Sequence, residues 1–130
     1  MSDNFFIKDH NRYVKINTDD ILYIEGSRNY LNIFTGNKKW VILCTMKEME
    51  AALPACSFCR VHRSYIVAIN KICTFDKAAV YMGDKKIPIG DQYKNSLQEK
   101  IMIVPGNSID KLQYQHNRLA VTAPLVRHLI

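Results

Sequence analysis

The stretch "FCRVHRSYIVAINKI", residues 58–72, holds two different kinds of sequence. Its second half alternates as a strand does, with Tyr65, Val67 and Ile69 on one face and Ile66, Ala68 and Asn70 on the other. Its first half sets Arg60, His62, Arg63 and Ser64 directly before that apolar run. Fixing a long side chain costs up to about 2 kcal/mol of rotamer entropy. A rigid element that holds such donors in advance lowers what must be lost on binding.

Upstream, the chain reads as more short strands. "FFIKDHNRYVKINTDD" gives two strands around a polar turn, and "ILYIE", "YLNIF" and "KWVIL" follow, separated by "GSRN" and "TGNK". The Gly-Asn pair in the second of these is a hairpin signature. The period then changes. In "TMKEMEAAL", Thr45 and Glu48 have capping-box spacing, and Met46, Met49 and Leu53 recur at helical spacing before Pro54. This predicts a helix over about residues 46–53.

Downstream, "KICTFD" and "AAVYMG" read as strands, and Gly83-Asp84 turns the chain into "KKIPIG". Pro88 has no N–H to give to a ladder, so that strand belongs at an edge or ends there. Asp91 is placed to cap a second helix, along which Tyr93, Leu97, Ile101 and Val104 recur before Pro105-Gly106. Ser108 could start a short helix over 108–119. The expected fold class is mostly β with small helices, not a series of strand–helix–strand units.

The 130 residues suffice for one domain with a real core, and 48% hydrophobic residues argue against disorder. No apolar run approaches the roughly 20 residues that span a bilayer, and "MSDNFFIKDH" lacks the basic-then-apolar order of a leader. A cytoplasmic protein without a membrane segment is expected. Cys56 and Cys59 form one CxxC with no second pair, so Cys44, Cys56, Cys59 and Cys73 are read as reduced thiols and no metal or cofactor is expected. The net charge is +6. Residues 1–55 are neutral, with seven basic and seven acidic side chains, whereas residues 56–100 carry eight basic and four acidic. The excess falls on the half that holds the opening stretch, as a polyanionic partner would require.

Catalysis is poorly served. There is no GxSxG, HExxH or phosphate-binding glycine loop, and the histidines at 10, 62, 116 and 128 have no metal spacing. A recognition helix is also missing, because neither predicted helix carries a row of Arg, Lys, Asn and Gln beside a preceding helix. Donors instead cluster at three junctions, "GSRNY", "RVHRSY" and "GDQYK". Arg can donate a forked pair to guanine, Asn and Gln can pair with adenine, and Lys and Ser hold phosphates.

Three segments in order, "DDILYIEGSRNYLNIFT", "FCRVHRSYIVAINKI" and "KKIPIGDQYKNSL", resemble the LytTR DNA-binding domain, the output domain of bacterial response regulators of the LytR/AlgR type. The resemblance covers roughly residues 5–104. It implies an elongated, mainly antiparallel β fold that binds double-stranded DNA through loops entering successive major grooves. Carried over by motif, the first loop supplies Arg28, Asn29 and Tyr30, the second His62, Arg63 and Ser64, and the third Gly90, Asp91, Gln92 and Lys94. Arg60 joins the DNA-binding set from its place in the second motif. The third loop departs from the family pattern: Gly90-Asp91-Gln92 stands where the family often has Ser-Arg-Arg or Ser-Arg-Lys, so Gln92 and Lys94 are taken as its contacts.

The resulting expectation is a bacterial transcription regulator of two-component type. Its DNA-binding domain spans residues 1–104, and a tail of unassigned role spans 105–130. It would bind paired direct repeats of duplex DNA, with self-association on the DNA. The few residues before the first strand leave no room for a receiver domain, so the chain is a stand-alone protein or an excised domain. The alternative is a β-rich protein-interaction module that meets an acidic partner with its basic loops.

Overall fold

The computed structural model describes residues 3–109. Strands β1 (Asn4–Asp9) and β2 (Arg12–Asn17) form a hairpin. Strands β3 (Ile21–Ser27), β4 (Tyr30–Thr35) and β5 (Lys39–Leu43) follow as a meander. Helix α1 (Met46–Ala52) leads to β6 (Phe58–His62) and β7 (Tyr65–Ala68). Strands β8 (Thr74–Phe75), β9 (Ala79–Met82) and β10 (Lys85–Pro88) make a small sheet before helix α2 (Ser96–Lys100). All the pairings are antiparallel.

The centre of the molecule is a five-stranded sheet in the order β5-β4-β3-β7-β6. Strand β7 shows how it is held. Ile66 and Ala68 point into one core with Ile24, Leu31, Ile33, Met49 and Leu53, under the β1–β2 hairpin and α1. Tyr65 and Val67 point into a second core with Val61, Val80, Ile87 and Leu97, under the small sheet and α2. The alternation read in the sequence is therefore real over Tyr65–Ala68, where both faces are covered, but it gives way to a 3-10 turn at Ile69–Lys71. Truncating a side chain such as Ile66 to Ala would cost about 2–5 kcal/mol.

The first helix begins where the sequence placed it. Thr45 Oγ1 accepts from the Glu48 N–H at 3.0 Å, and Glu48 Oε1 accepts from the Thr45 N–H at 3.0 Å. Pro88 ends β10, which lies at the edge of its sheet. Three expectations need correction. Residues 58–62 are a strand, paired with β7 through a bulge between Arg60 and His62, and not merely an approach to one. The second helix is shorter than its spacing suggested: residues 91–93 form a 3-10 turn, α2 spans only Ser96–Lys100, and Ile101 is already extended at φ −122°. Nor does Asp91 cap it, since Gly90 holds the N-cap of the 3-10 turn and no side chain caps either segment. The helix expected over 108–119 lies almost wholly outside the described residues.

Candidate nucleic-acid interface

The three junctions come together at one end of the central sheet. The β3–β4 turn is Arg28-Asn29 and the β6–β7 turn is Arg63-Ser64. Strands β3 and β7 are neighbours with Glu25 opposite Tyr65, so their turns project side by side. The Gly26 N–H donates to the Ser64 carbonyl at 2.8 Å and joins the two stems. The third junction is tied on from the other side, where the Gly90 N–H donates to the Val61 carbonyl at 2.8 Å.

Two grooves result, and Arg63 lines both. The first runs between Arg28 and Asn29 on one side and Arg63 and Ser64 on the other, with Leu43, Thr45 and Glu48 along its floor and wall. The second lies between His62, Arg63 and the Gly90–Tyr93 segment. A Cβ added at Gly90 would sit 3.2 Å from Tyr93 and 3.5 Å from the His62 ring, so glycine lets the third loop close on the second.

The first loop is a two-residue hairpin turn whose first residue, Arg28, has φ +58°. This conformation strains a residue bearing a Cβ. Arg28, Asn29 and Tyr30 are all exposed. In the second loop Arg63 is exposed and His62 half-buried. His62 Nδ1 accepts from the Ser64 N–H at 3.0 Å, which in the neutral ring leaves the proton on Nε2. The His62 ring meets Tyr65 edge-on at 5.7 Å. In the third loop Gln92 is exposed, and Lys94 Nζ lies 3.5 Å from Asp91 Oδ1. The Asp91 carboxylate, 97% exposed, thus partly neutralises the nearest lysine.

Arg60 behaves differently from the rest. Its side chain is only 19% exposed. Nε donates to the His62 carbonyl at 3.3 Å, Nη2 to the Arg63 carbonyl at 2.7 Å and Nη1 to Glu50 Oε1 at 3.4 Å.

The sequence reading missed two groups near this face. Glu48, whose spacing from Thr45 marks only a helix cap, also stands in the first groove, where the Thr45 N–H and hydroxyl hold its carboxyl below the usual range. On the sheet face behind the loops, Tyr65 Oη donates to Glu25 Oε2 at 2.6 Å, and Lys85 Nζ lies 3.7 Å from the same oxygen. The Glu25 hydrogen bond, followed by burial, pushes the Tyr65 phenol up to about 12. Forty residues separate Glu25 from Tyr65, so no local spacing could have paired them.

The LytTr DNA-binding domain family matches residues 11–102. The chain belongs to this family. The matched LytTr span contains all three loops. Among similar proteins, a sensory transduction protein LytT of Bacillus anthracis is 28% identical over 96 residues, covering 69% of this chain and 39% of that protein. A sensory transduction protein LytT of Enterococcus faecalis is 24% identical over 101 residues, covering 73% of this chain and 42% of that one. The chain therefore spans about two-fifths of the length of these relatives. A solved LytTr DNA-binding domain of a Bacillus cereus methyl-accepting/DNA response regulator shares the fold, with a TM-score of 0.67 at 18% identity, over 79% of this chain and all of that one.

Proposed function

We propose that this LytTr domain reads duplex DNA sequence with its three loops, inserted in the major groove, as the output part of a bacterial transcription regulator in the cytoplasm. The observation that carries this reading is the position of Arg63. It lines both grooves, so one residue borders Arg28 and Asn29 in the first and Gln92 in the second. We assign base reading to Arg28, Asn29, His62, Arg63 and Gln92, and phosphate or sugar contact to Tyr30, Ser64 and Lys94. The binding unit is residues 1–104, with 105–130 outside it. Two copies take direct repeats about one helical turn apart on one face of the DNA, a spacing set by the duplex itself.

Binding-site selection from a random duplex pool, followed by salt titration, tests this. An enriched motif repeated at about 10–11 base pairs is expected. With about five phosphates neutralised per domain, log affinity should fall against log salt with a slope of roughly −4 to −5. No duplex bound even at low salt would contradict the proposal and leave the protein-interaction module.

A further inference from the structure

We infer that Arg60 does not touch DNA but sets the geometry of the two loops that do, so that selectivity depends on a residue behind the reading surface. This rests on the DNA-reading role proposed above. The guanidinium meets four partners from three parts of the fold. It donates to the successive carbonyls of His62 and Arg63, which are the two peptides on which the second loop turns. It pairs with Glu50 of α1 at 3.4 Å. Its carbon lies 5.8 Å from the centre of the Tyr93 ring in the third loop.

The chemistry of this fork explains why an arginine is there. The register of the β6–β7 pair shifts between Arg60 and His62, and the His62 and Arg63 carbonyls just past that shift are the ones the Arg60 fork holds. Two carbonyls and a carboxylate at three separate nitrogens suit a planar guanidinium, whose donors have fixed directions. A lysine ammonium on a flexible stem presents one point charge and cannot reproduce that geometry. All three nitrogens are engaged inside the protein, so little of the group is left for a phosphate. The Arg60–Tyr93 contact and the Gly90–Val61 hydrogen bond then place the third loop against the second, with Arg63 at their meeting line.

The test uses the whole chain with Arg60→Ala, Arg60→Lys and Glu50→Gln, the motif selected above and random duplex DNA. For both Arg60 variants the ratio of motif to random affinity should fall about tenfold, while random-DNA affinity and the salt slope stay at the parent values. Glu50→Gln should lower the ratio by a smaller factor with the slope again unchanged. Amide NMR without DNA should show the Arg63, Ser64 and Tyr93 signals moved or broadened in the variants. A salt slope reduced by about one, with random DNA weakened as much as the motif, would make Arg60 a phosphate contact and overturn the inference. Full rescue by Arg60→Lys would also overturn it. If the parent chain selects no motif, the reading of function fails, while unmoved loop amides in Arg60→Lys would separately refute the positioning role. Should Arg60→Ala not fold, Arg60→Lys and Glu50→Gln carry the same comparison.

Discussion

The Gly26 N–H and the Ser64 carbonyl, 2.8 Å apart, join the stems of the first two loops through the backbone alone. Side-chain changes in either loop therefore leave this link in place, and what threatens it is crowding at Gly26. A Cβ there would stand 3.4 Å from Met46 Cγ and 3.7 Å from Leu31 Cδ2, ordinary contact distances. Gly26→Ala should change stability by less than about 0.5 kcal/mol. Gly26→Val adds branches against Met46 and Leu31 and should cost about 1–3 kcal/mol. Urea unfolding of both variants checks this, and equal midpoints would show that the space around Gly26 has been misjudged.

Arg28 combines a positive φ with an exposed guanidinium, so stability and binding should separate there. Relief of the left-handed strain outweighs the added chain entropy of glycine, and Arg28→Gly should stabilise folding by roughly 0.5–1 kcal/mol. The same change should weaken motif binding by about 1–3 kcal/mol. A variant that is both less stable and unaltered in binding would contradict both halves.

Glu48 places a carboxylate in the groove beside Arg28 and Arg63. Glu48→Gln keeps a side-chain oxygen for the capping box but removes the charge that opposes phosphate. Affinity for any duplex should rise about two- to fivefold at low salt, with the melting temperature nearly unchanged. A fall in affinity confined to the selected motif would instead mean that Glu48 accepts a hydrogen bond from a base amino group.

The Tyr65–Glu25 hydrogen bond predicts a pH dependence of stability. The phenol is raised from about 10 to about 12 in the folded chain, so the unfolded chain loses this proton first. The stabilisation is complete below pH 10 and is lost as pH rises through about 12. Thermal melts of Tyr65→Phe and the parent should therefore differ most below pH 10 and converge towards pH 12. A constant difference across that range would show that the hydrogen bond leaves the phenol unshifted.

What the sequence disclosed depended on whether the governing force was local. The α1 cap lies within four residues, and the turn at Gly36-Asn37 is set by its own backbone, so both were legible. So was the alternation of β7, because each face meets a core. Strand β6 was less so: Cys59 and Val61 alternate with Arg60 and His62, but over only four residues, and its ladder is supplied by β7. The second helix was overread: Leu97 is buried and Tyr93 meets the second loop, but Val104 is 78% exposed, so the spacing marked no continuous apolar stripe. A five-residue helix is also too short to propagate on its own propensity. Among the expected contact residues, the sequence could place each on its loop but could not show that Arg60 turns back onto its own turn, since that requires the bulge and α1 together.

The most direct test of the account is the affinity of Arg63→Ala for the selected motif and for random duplex, set beside Lys38→Ala. Lys38 sits in the β4–β5 turn at the far end of the sheet, stacked 3.8 Å over Trp40. As a base reader at the meeting of the two grooves, Arg63 should lose about 1–3 kcal/mol on the motif when truncated, relaxing the sequence requirement at one position. Lys38→Ala should leave motif selectivity unchanged. Equal losses from the two substitutions, on motif and random DNA alike, would mean a diffuse basic surface and would contradict reading by the loops.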